Sequence, residues 1–466
     1  MEAIDMHRNR KKKSFSPTRR IAFSFFMVIL IGSLLLSLPI SNQVLNTSYL
    51  DHLFIATSAT CVTGLVPMVV SEQYTVFGQI VIIALIQVGG LGFLTLLNMV
   101  MVAFKKKLSY TNKIIMQEAL NQNSMNDIAL YIKRTIKYTL IIELVGACLL
   151  SIRFIPQFGF TKGIFFSIFH SISAFCNAGF DIIGSNSLIN YQTDVLINLV
   201  ISGLIIAGGL GFIVWIDLRM SYKKYKEKFK VFQLKRFIEG LSVHTRIVIY
   251  TTLFLLISGT IFIFILEYDN PATLAPLSLF DKGLASFFQS TTLRTAGFAT
   301  VDMAGLYNPT KLLMSIYMFI GGSPAGTAGG IKTVTFTIIL LYIRALVRGS
   351  DNIQTMKRTI SDQVVKRSLT IAIVSFFIAM TGLFCLSIFE QKPFIDLVFE
   401  VFSAFATVGL TAGVTPYLSV IGKMIIIIMM YIGRIGPVTM VLIFAKRYNQ
   451  KKGKDIQYPQ SDVLIG

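Results

Sequence analysis

Long apolar segments alternate with short polar ones along the whole chain. Most of these segments are long enough to cross the hydrocarbon core of a membrane, and Tyr138 to Phe154 is a shorter candidate interrupted by Glu143. The pattern predicts eight passes through the membrane. The seven longer segments are Ile21 to Pro39, Phe77 to Phe104, Val195 to Trp215, Ile247 to Leu266, Leu312 to Arg344, Ser368 to Phe389 and Met424 to Phe444.

A spaced pattern occurs four times between these segments. In each copy a glycine is preceded by Phe at ten positions and by Ser or Thr at six, and is followed by Leu or Phe. The glycines are Gly64, Gly179, Gly297 and Gly409, at separations of 115, 118 and 112 positions. A nearly fixed period of this length indicates four copies of one structural unit.

A second glycine landmark follows the first in each copy. Gly89, Gly208, Gly321 and Gly433 lie 25, 29, 24 and 24 positions after the four glycines above. The two landmarks divide the chain into repeats, connectors and tails. We predict a cytoplasmic tail at 1–20, repeat 1 at 21–104, a cytoplasmic connector at 105–134, repeat 2 at 135–217, a basic cytoplasmic connector at 218–244, repeat 3 at 245–348, repeat 4 at 349–446 and a cytoplasmic tail at 447–466.

Each glycine of the first landmark follows a short amphipathic segment. These segments are too short to cross the bilayer, so we predict re-entrant half-helices. Asp51, Asp281 and Asp396 lie near their beginnings and are expected to cap them. The segments are Asp51 to Thr60, Phe165 to Phe175, Leu284 to Leu293 and Pro393 to Phe405.

The basic residues are confined to particular segments. The net charge is +20, yet only 14% of the residues are charged and 54% are hydrophobic. Lys and Arg cluster at 8–20, 105–113, 133–137, 219–246, 344–367 and 446–454, while 42–75 contains none. This alternation follows the positive-inside rule rather than the distribution of a nucleic-acid-binding protein. It places both termini in the cytoplasm, makes the basic loops topology signals and lipid-facing anchors, and puts every glycine loop near the outer face.

Four re-entrant loops of this kind suggest a cation pore. Non-helical backbone at membrane depth is tolerated only where it is buried in protein or lines a watery cavity. Four equivalent loops around one axis would form rings of carbonyl oxygens that replace the water shell of an alkali cation. Thr407-Val408-Gly409 also matches the first three letters of the potassium-channel filter TVGYG.

Other interpretations remain open at this point. GGLG at 89–92 and 208–211 is typical of close helix packing. A membrane-embedded enzyme would need converging catalytic side chains, and His7, His52, His170 and His244 have no ligand spacing. An alternating-access carrier built from inverted repeats would place successive glycine loops on opposite faces, contrary to the charge pattern.

The motifs together resemble the Trk/Ktr/HKT superfamily of potassium transporters over about residues 20–450, and most closely its KtrB-type membrane subunits. The chain starts almost directly at the first repeat, without the additional N-terminal spans of TrkH-like relatives. The resemblance implies an all-α polytopic fold with four M1-P-M2 repeats in pseudo-fourfold arrangement around one pore. It further implies a homodimer in the bacterial plasma membrane, a cytosolic KtrA-like RCK ring that binds ATP or ADP, and K⁺ uptake that depends on or is stimulated by Na⁺. No organic cofactor, enzymatic activity or nucleic-acid partner is expected.

The family's selectivity filter maps onto the four glycine loops. Each loop has one glycine where TVGYG has two, so we expect fewer carbonyl rings and looser selectivity. The position three before the glycine differs between repeats, and Arg294 there is expected to anchor the loop or to act as a counter-charge. The K⁺-binding residues implied by the resemblance are Val62, Thr63, Gly64, Asn177, Ala178, Gly179, Thr295, Ala296, Gly297, Thr407, Val408 and Gly409.

A glycine-rich break in repeat 3 resembles the family's intramembrane gate, here at 321–333. A continuous helix through Pro324 and so many glycines would be costly. Arg434 is expected to donate to the carbonyls of this loop, and Lys332 to extend toward the cytoplasmic side. The implied gate residues are Gly321, Gly322, Ser323, Pro324, Ala325, Gly326, Thr327, Ala328, Gly329, Gly330 and Arg434.

Two acidic residues lie outside these motifs. Asp217 is expected to mark the cytoplasmic interface. Glu143 interrupts an apolar span, where a carboxylate needs a partner. Pairing with a residue of a neighbouring repeat and binding of a coupling ion both remain open for Glu143.

Overall fold

The computed structural model describes residues 17–92, 128–228, 233–350 and 352–436. Most of the N-terminal tail, most of the 105–134 connector, the C-terminal tail and the ends of the spans predicted at 77–104 and 424–444 lie outside the described residues.

Within the described residues each repeat has a long helix, a half-helix, an extended loop and a second helix. Repeat 1 contains α1 (Pro17–Ser37), α2 (Tyr49–Cys61), α3 (Val70–Gln73) and α4 (Val76–Leu91), and repeat 2 contains α5 (Ile128–Phe158), α6 (Phe160–Phe175), α7 (Val195–Gly209) and α8 (Phe212–Lys228). The short α9 (Leu234–Glu239) precedes repeat 3, which contains α10 (Val243–Glu267), α11 (Leu279–Thr292), α12 (Asn308–Phe319) and α13 (Thr333–Val347). A hairpin of β1 (Gln354–Thr355) and β2 (Arg358–Thr359) leads to repeat 4, with α14 (Asp362–Phe389), α15 (Phe394–Ala406) and α16 (Val420–Ile435).

The first helix of every repeat is long and apolar enough to cross a membrane. The qualifying segments are Arg19–Ser37, Lys133–Phe158, Val243–Glu267 and Asp362–Phe389. Lys133–Phe158 contains Glu143, so the interrupted candidate span of the sequence is a continuous helix. These four helices confirm the predicted first span of each repeat.

The second helix of each repeat ends near its glycine landmark. Gly92, Gly211 and Gly436 have φ values of 81°, 88° and 100°, which glycine adopts without steric cost. At Gly211 the chain turns by 91° from α7 into α8, so the continuous span predicted over Val195 to Trp215 is wrong. The break predicted only for repeat 3 therefore has a counterpart in repeat 2.

The four predicted half-helices are present as α2, α6, α11 and α15, but aspartate is not their general cap. The hydroxyl of Ser48 accepts from the amide of Leu50, and that of Ser278 accepts from the amide of Asp281. Asp51 and Asp396 instead form ion pairs with lysines of other repeats. The expected capping role of these two aspartates is therefore corrected.

The half-helices form the centre of the protein and the long helices surround them. In α15 every residue from Leu397 to Ala406 is buried. Such burial on all sides fits a helix enclosed by neighbouring repeats rather than one facing lipid. The loops that follow the half-helices consequently meet in the middle of the molecule.

Asp217 ties repeat 2 to the beginning of repeat 3. Its carboxylate accepts from the hydroxyl of Ser242 at 2.7 Å and from that of Thr245 at 2.5 Å. These bonds join α8 to the first turn of α10. The predicted connector at 218–244 therefore begins within a helix, because α8 continues to Lys228.

Candidate cation site at the four glycine loops

The four glycines of the first landmark form a closed ring. A Cβ atom added to Gly64, Gly179 or Gly297 would lie 2.5 to 2.6 Å from a carbonyl oxygen of the next repeat, and one added to Gly409 would lie closer still to repeat 1. Each oxygen belongs to the residue just before the next repeat's glycine. In ring order these carbonyls are those of Ala178, Ala296, Val408 and Thr63.

The backbone of the four loops has the same unusual conformation. The residue two before each glycine is left-handed although it carries a side chain, with φ between 54° and 66°, and the glycine itself has φ between 69° and 99°. Alternation of left- and right-handed residues turns successive carbonyls to the same side, whereas in a strand they alternate. Strain of this kind costs about 1–3 kcal/mol per residue and is typical of functional sites. The left-handed residues are Val62, Asn177, Thr295 and Thr407.

The serine six positions before the glycine explains part of the repeated pattern. The hydroxyl of Ser58 accepts from the amide of Gly64 at 3.0 Å, and that of Ser403 accepts from the amide of Gly409 at 3.1 Å. Ser173 donates instead to the carbonyl of Phe180 at 2.7 Å. The spacing is visible in the sequence, but this role is not: a side chain of the half-helix holds the loop that follows it.

The ring offers neutral oxygen ligands. The hydroxyls of Thr63, Thr295 and Thr407 are buried and have no hydrogen-bond partner among the described residues. Carbonyl and hydroxyl oxygens suit hard cations, and uncharged oxygens suit an ion that must also leave again. The residues present therefore fit a monovalent cation as the transported substrate.

A cavity of about 360 Å³ opens above the ring, on the predicted outer side. All four ring glycines line it, together with Asp181, which lies two residues after Gly179. The equivalent positions in the other repeats hold Val66, Ala299 and Thr411, so repeat 2 alone places a carboxylate there. Asp181 was not predicted from the sequence, although the four loops differ visibly at this position.

The glycine-rich loop of repeat 3 lies on the opposite side of the ring. Its Thr327 hydroxyl contacts the Asn177 side chain at 3.1 Å and the carbonyl of Phe175 at 3.3 Å. A Cβ atom on Gly329 would overlap the side chain of Thr407. This glycine-rich loop therefore contacts the glycine loops of repeats 2 and 4 directly.

Arg434 connects this loop to repeat 1. It donates from Nη1 to the carbonyl of Thr327 and from Nη2 to that of Gly89, with the carbonyl of Gly90 at 3.4 Å from Nη2. The predicted contact with the repeat 3 loop is confirmed, and the contact with the repeat 1 break is new. Because a guanidinium has five donors and no acceptor, it can join two loops that expose carbonyls.

Lys332 does not extend away from the loop as expected. Its Nζ donates back to the carbonyl of Ala328 at 2.5 Å and lies 3.5 Å from that of Gly329. The loop thus holds a second cationic group beside Arg434.

Arg294 lies three residues before Gly297, behind the glycine loop that contains it, and only 3% of its surface is exposed. Its carbonyl accepts from the Asn177 side chain at 3.0 Å. Neither Nη1 nor Nη2 has a hydrogen-bond partner in the described parts of the chain. The Arg294 backbone therefore joins repeat 3 to repeat 2, and among the described residues Nη1 and Nη2 of its guanidinium group do not anchor the loop by a hydrogen bond.

Glu143 lies behind the repeat 2 loop. Its carboxylate accepts from the Gln87 amide at 3.3 Å, and the Gln87 carbonyl oxygen is 3.5 Å from the thiol of Cys176. Gln87 belongs to α4 of repeat 1. The structure therefore supplies the partner from a neighbouring repeat, and the Glu143 contact lies within reach of the filter segment.

The second glycine landmark allows close packing against the half-helices. A Cβ atom on Gly89, Gly208 or Gly433 would overlap the carbonyl oxygen four residues before the ring glycine of the same repeat. The packing interpretation of GGLG therefore holds, and the last glycine of each of these three motifs has the positive φ described above.

Comparison with known proteins agrees with this architecture. A model of the TrkH family, described as a cation transport protein, matches residues 5–456. The Ktr system potassium uptake protein B of Bacillus subtilis is 43% identical over 452 residues, which are 97% of each chain. The potassium/sodium uptake protein NtpJ of Enterococcus hirae is 39% identical over 98% of this chain and 99% of its own.

The fold also matches a solved structure. The crystal structure of the potassium transporter TrkH from Vibrio parahaemolyticus superimposes with a TM-score of 0.69, covering 94% of this chain and 87% of that one at 19% identity. The expected all-α polytopic membrane fold is confirmed, and a family of cation transporters rules out the enzyme alternative. The chain belongs to the TrkH family of cation transport proteins, as its resemblance to the Trk/Ktr/HKT superfamily predicted.

Proposed function

We propose that the chain is the ion-conducting membrane subunit of a potassium uptake system, and that K⁺ passes along the axis of the four glycine loops. The observation that carries the proposal is the closed ring, in which each ring glycine lies against a carbonyl of the next repeat. The names of the two relatives above, which both include potassium uptake, support K⁺ as the substrate.

Sodium is the second ion of the proposal. The relative NtpJ is named as a potassium/sodium uptake protein, which supports uptake that depends on or is stimulated by Na⁺. One glycine per loop also favours looser selectivity than a filter with two. K⁺ uptake measured with and without external Na⁺ tests this, and equal rates would exclude sodium stimulation.

Partners complete the proposed system. Relatives named as parts of a Ktr system support a cytosolic regulatory subunit, for which a KtrA-like RCK ring that binds ATP or ADP is the expected form. We expect a homodimer in the cell membrane with both termini in the cytoplasm. Cross-linking in membranes tests the dimer, and cysteine labelling of the two termini from either side tests their location.

The central test is growth at low K⁺ in cells that lack their own potassium transporters. The wild-type chain should restore growth, and Gly297→Ser should abolish it, because Gly297 has φ of 81° and a side chain would strike the carbonyl of Val408. Gly203→Ser is the matched control, since nothing lies within 4 Å of a Cβ at Gly203. Failure of the wild-type chain to restore growth would refute the proposal.

The gate is tested by shortening the repeat 3 loop. Deleting part of Ser323–Gly330 should raise cation flux without the cytosolic partner, because the contacts of Thr327 and Arg434 are removed. The same deletion combined with Gly297→Ser should conduct nothing if the flux passes through the filter. Unchanged flux in the single deletion would mean that the loop is not the barrier.

A further inference from the structure

Two adjoining cavities lie between α5, α8 and α9, far along the chain from the filter segments. One has a volume of about 400 Å³ and a mainly apolar wall that includes Ile141, Trp215 and Leu218. The other has a volume of about 250 Å³ and is lined by basic residues that include Arg134. Arg219 and Tyr138 line both cavities and form the boundary between them.

The direction of α8 places the cavities at a membrane surface. Because the chain turns by 91° between α7 and α8, a membrane-crossing α7 leaves α8 along the plane of the membrane. The first half of α8 is apolar and aromatic and its second half is basic, so the first half suits acyl chains and the second half suits anionic headgroups. The positive-inside pattern assigns this level to the cytoplasmic leaflet.

The boundary between the cavities is rigid and positively charged. Arg219 donates from Nη1 to the hydroxyl of Tyr138 at 2.7 Å, and its guanidinium carbon lies 5.7 Å from the centre of that ring. Neither Arg134 nor Arg219 forms an ion pair within the described ranges, whereas the exposed Lys223 lies 4.0 Å from the Glu227 carboxylate. Among the described residues, the two arginines of the basic cavity thus have no carboxylate partner, and Arg219 also borders the apolar cavity.

Arg219 is held on one side by Tyr138, and α9 closes the far side of the apolar cavity. Phe237 of α9 lines that cavity and packs edge-on against Tyr222 at 6.4 Å and Tyr225 at 5.9 Å. The connector between repeats 2 and 3 therefore forms part of the cavity wall. Apolar and basic surfaces so arranged match the two parts of a lipid molecule.

We propose that this paired cavity binds an anionic phospholipid of the cytoplasmic leaflet. The headgroup phosphate accepts from Arg134 and Arg219, and one acyl chain lies against Ile141, Trp215 and Leu218. Basic pockets between membrane helices are suited to anionic headgroups, and the adjoining apolar cavity favours a lipid over a free anion.

The location suggests a functional consequence. α8 begins at Phe212, whose amide donates to the carbonyl of Ala325 in the repeat 3 loop at 3.0 Å. A lipid bound along α8 would therefore stabilise the helix that contacts the proposed gate. This consequence depends on the proposed function, whereas lipid binding itself does not.

The test is native mass spectrometry of the purified full chain titrated with phosphatidylglycerol or with phosphatidylcholine of the same acyl chains. Phosphatidylglycerol should bind more tightly, and Arg134→Gln with Arg219→Gln should weaken it about fivefold for each arginine removed. Lys224→Gln with Lys226→Gln is the matched control, because it removes the same charge from exposed positions that do not line the cavities. The control should bind phosphatidylglycerol like the wild type.

A second variant tests the apolar part without touching the arginines. Ile141 is 47% exposed, so Ile141→Trp should fold normally while occupying the acyl cavity, and it should also weaken phosphatidylglycerol binding. Equal affinity for the two lipids would overturn the proposal, as would equal loss in the arginine and lysine variants. Binding of inorganic phosphate alone, undiminished in Ile141→Trp, would identify an anion site instead of a lipid site.

Discussion

Repeat 4 and repeat 2 lie opposite each other in the ring and are held in different ways. Repeat 4 has an ion pair on each flank, Lys311 with Asp396 at 2.8 Å and Lys423 with Asp51 at 2.5 Å. Both lysines lie ten residues before the second glycine landmark, and both aspartates lie thirteen before the ring glycine. One inter-repeat contact is therefore used twice, at the two interfaces that repeat 4 shares.

The same positions on the flanks of repeat 2 carry no charge. Gln79 and Asn198 replace the lysines, and Phe166 and Leu284 replace the aspartates. Gln79 donates to the carbonyl of Tyr74 at 3.0 Å and Asn198 donates to that of Tyr191 at 2.7 Å, so each amide bonds within its own repeat.

Besides the Asp217 contacts described above, repeat 2 has polar contacts with both neighbouring repeats beside the ring of glycines. Glu143 contacts Gln87 of repeat 1, and Asn177 contacts the carbonyl of Arg294 in repeat 3. The backbone of the ring thus has approximate fourfold symmetry, whereas the side-chain contacts between the repeats do not. Repeat 4 has an ion pair on each flank in addition to the Arg434 contacts, whereas the equivalent flank positions of repeat 2 hold no ion pair.

Breaking an ion pair of repeat 4 should have the largest effect on stability. Lys423→Met leaves Asp51 largely buried without its partner, and we expect the free energy of unfolding to fall by about 3 kcal/mol. Gln79→Met, at the equivalent position beside repeat 2, should cost about 1 kcal/mol. Unfolding in detergent measures both. Equal losses would mean that the ion pairs do not distinguish the two flanks.

Removing the carboxylate of Glu143 should weaken repeat 2, which lies opposite repeat 4. Glu143→Leu leaves the partly buried Gln87 amide without its acceptor and should cost about 2 kcal/mol. The ratio of K⁺ to Na⁺ uptake should change as well, because Gln87 also contacts Cys176 three residues before Gly179. Glu143→Gln keeps an acceptor for the Gln87 amide, so both its stability and its ratio of K⁺ to Na⁺ uptake should be close to those of the wild type. A uniform loss of uptake for both ions would point to folding alone.

The serine behind the repeat 4 loop should have a smaller effect. Ser403→Ala removes the acceptor of the Gly409 amide, and we expect a loss of about 1 kcal/mol, seen as weaker K⁺ affinity. Thr291→Ala is the matched control, because Thr291 donates to the carbonyl of Phe287 within its own helix and does not hold its loop. An equal effect of the two substitutions would mean that the Ser403 hydroxyl does not support K⁺ binding by holding the repeat 4 loop.

The sequence predicted features that depend on local pattern. The half-helices follow from short apolar segments, and the ring follows from a glycine at a fixed offset, because positive φ is chiefly a property of glycine. The inter-repeat pairs were not predicted, since Lys423 and Asp51 are 372 residues apart. They become visible only when offsets are compared between adjacent repeats in ring order.

Two further predictions, the continuous span through Gly211 and the direction of the Lys332 side chain, were wrong because they also depend on contacts between distant parts of the chain. GGLG is compatible with a continuous helix, so nothing local reveals the turn at Gly211, which the amide of Phe212 stabilises by donating to the repeat 3 loop. Lys332 has a long side chain at a helix end, a setting that favours extension toward water. Its contact with the carbonyl of Ala328 depends on the folded path of the loop.

The charge of Asp181 should produce the smallest effect. Asp181 gives repeat 2 the only carboxylate at its loop position, and one carboxylate beside the ring raises the local K⁺ concentration. We expect Asp181→Asn to raise the KM for K⁺ by about threefold at low ionic strength and by less at high salt, with Vmax unchanged. Asp302→Asn is the control, because Asp302 is exposed and does not line the cavity. A KM that rises equally in both variants, or a rise that is independent of ionic strength, would show that the Asp181 carboxylate does not attract K⁺ to the cavity above the ring.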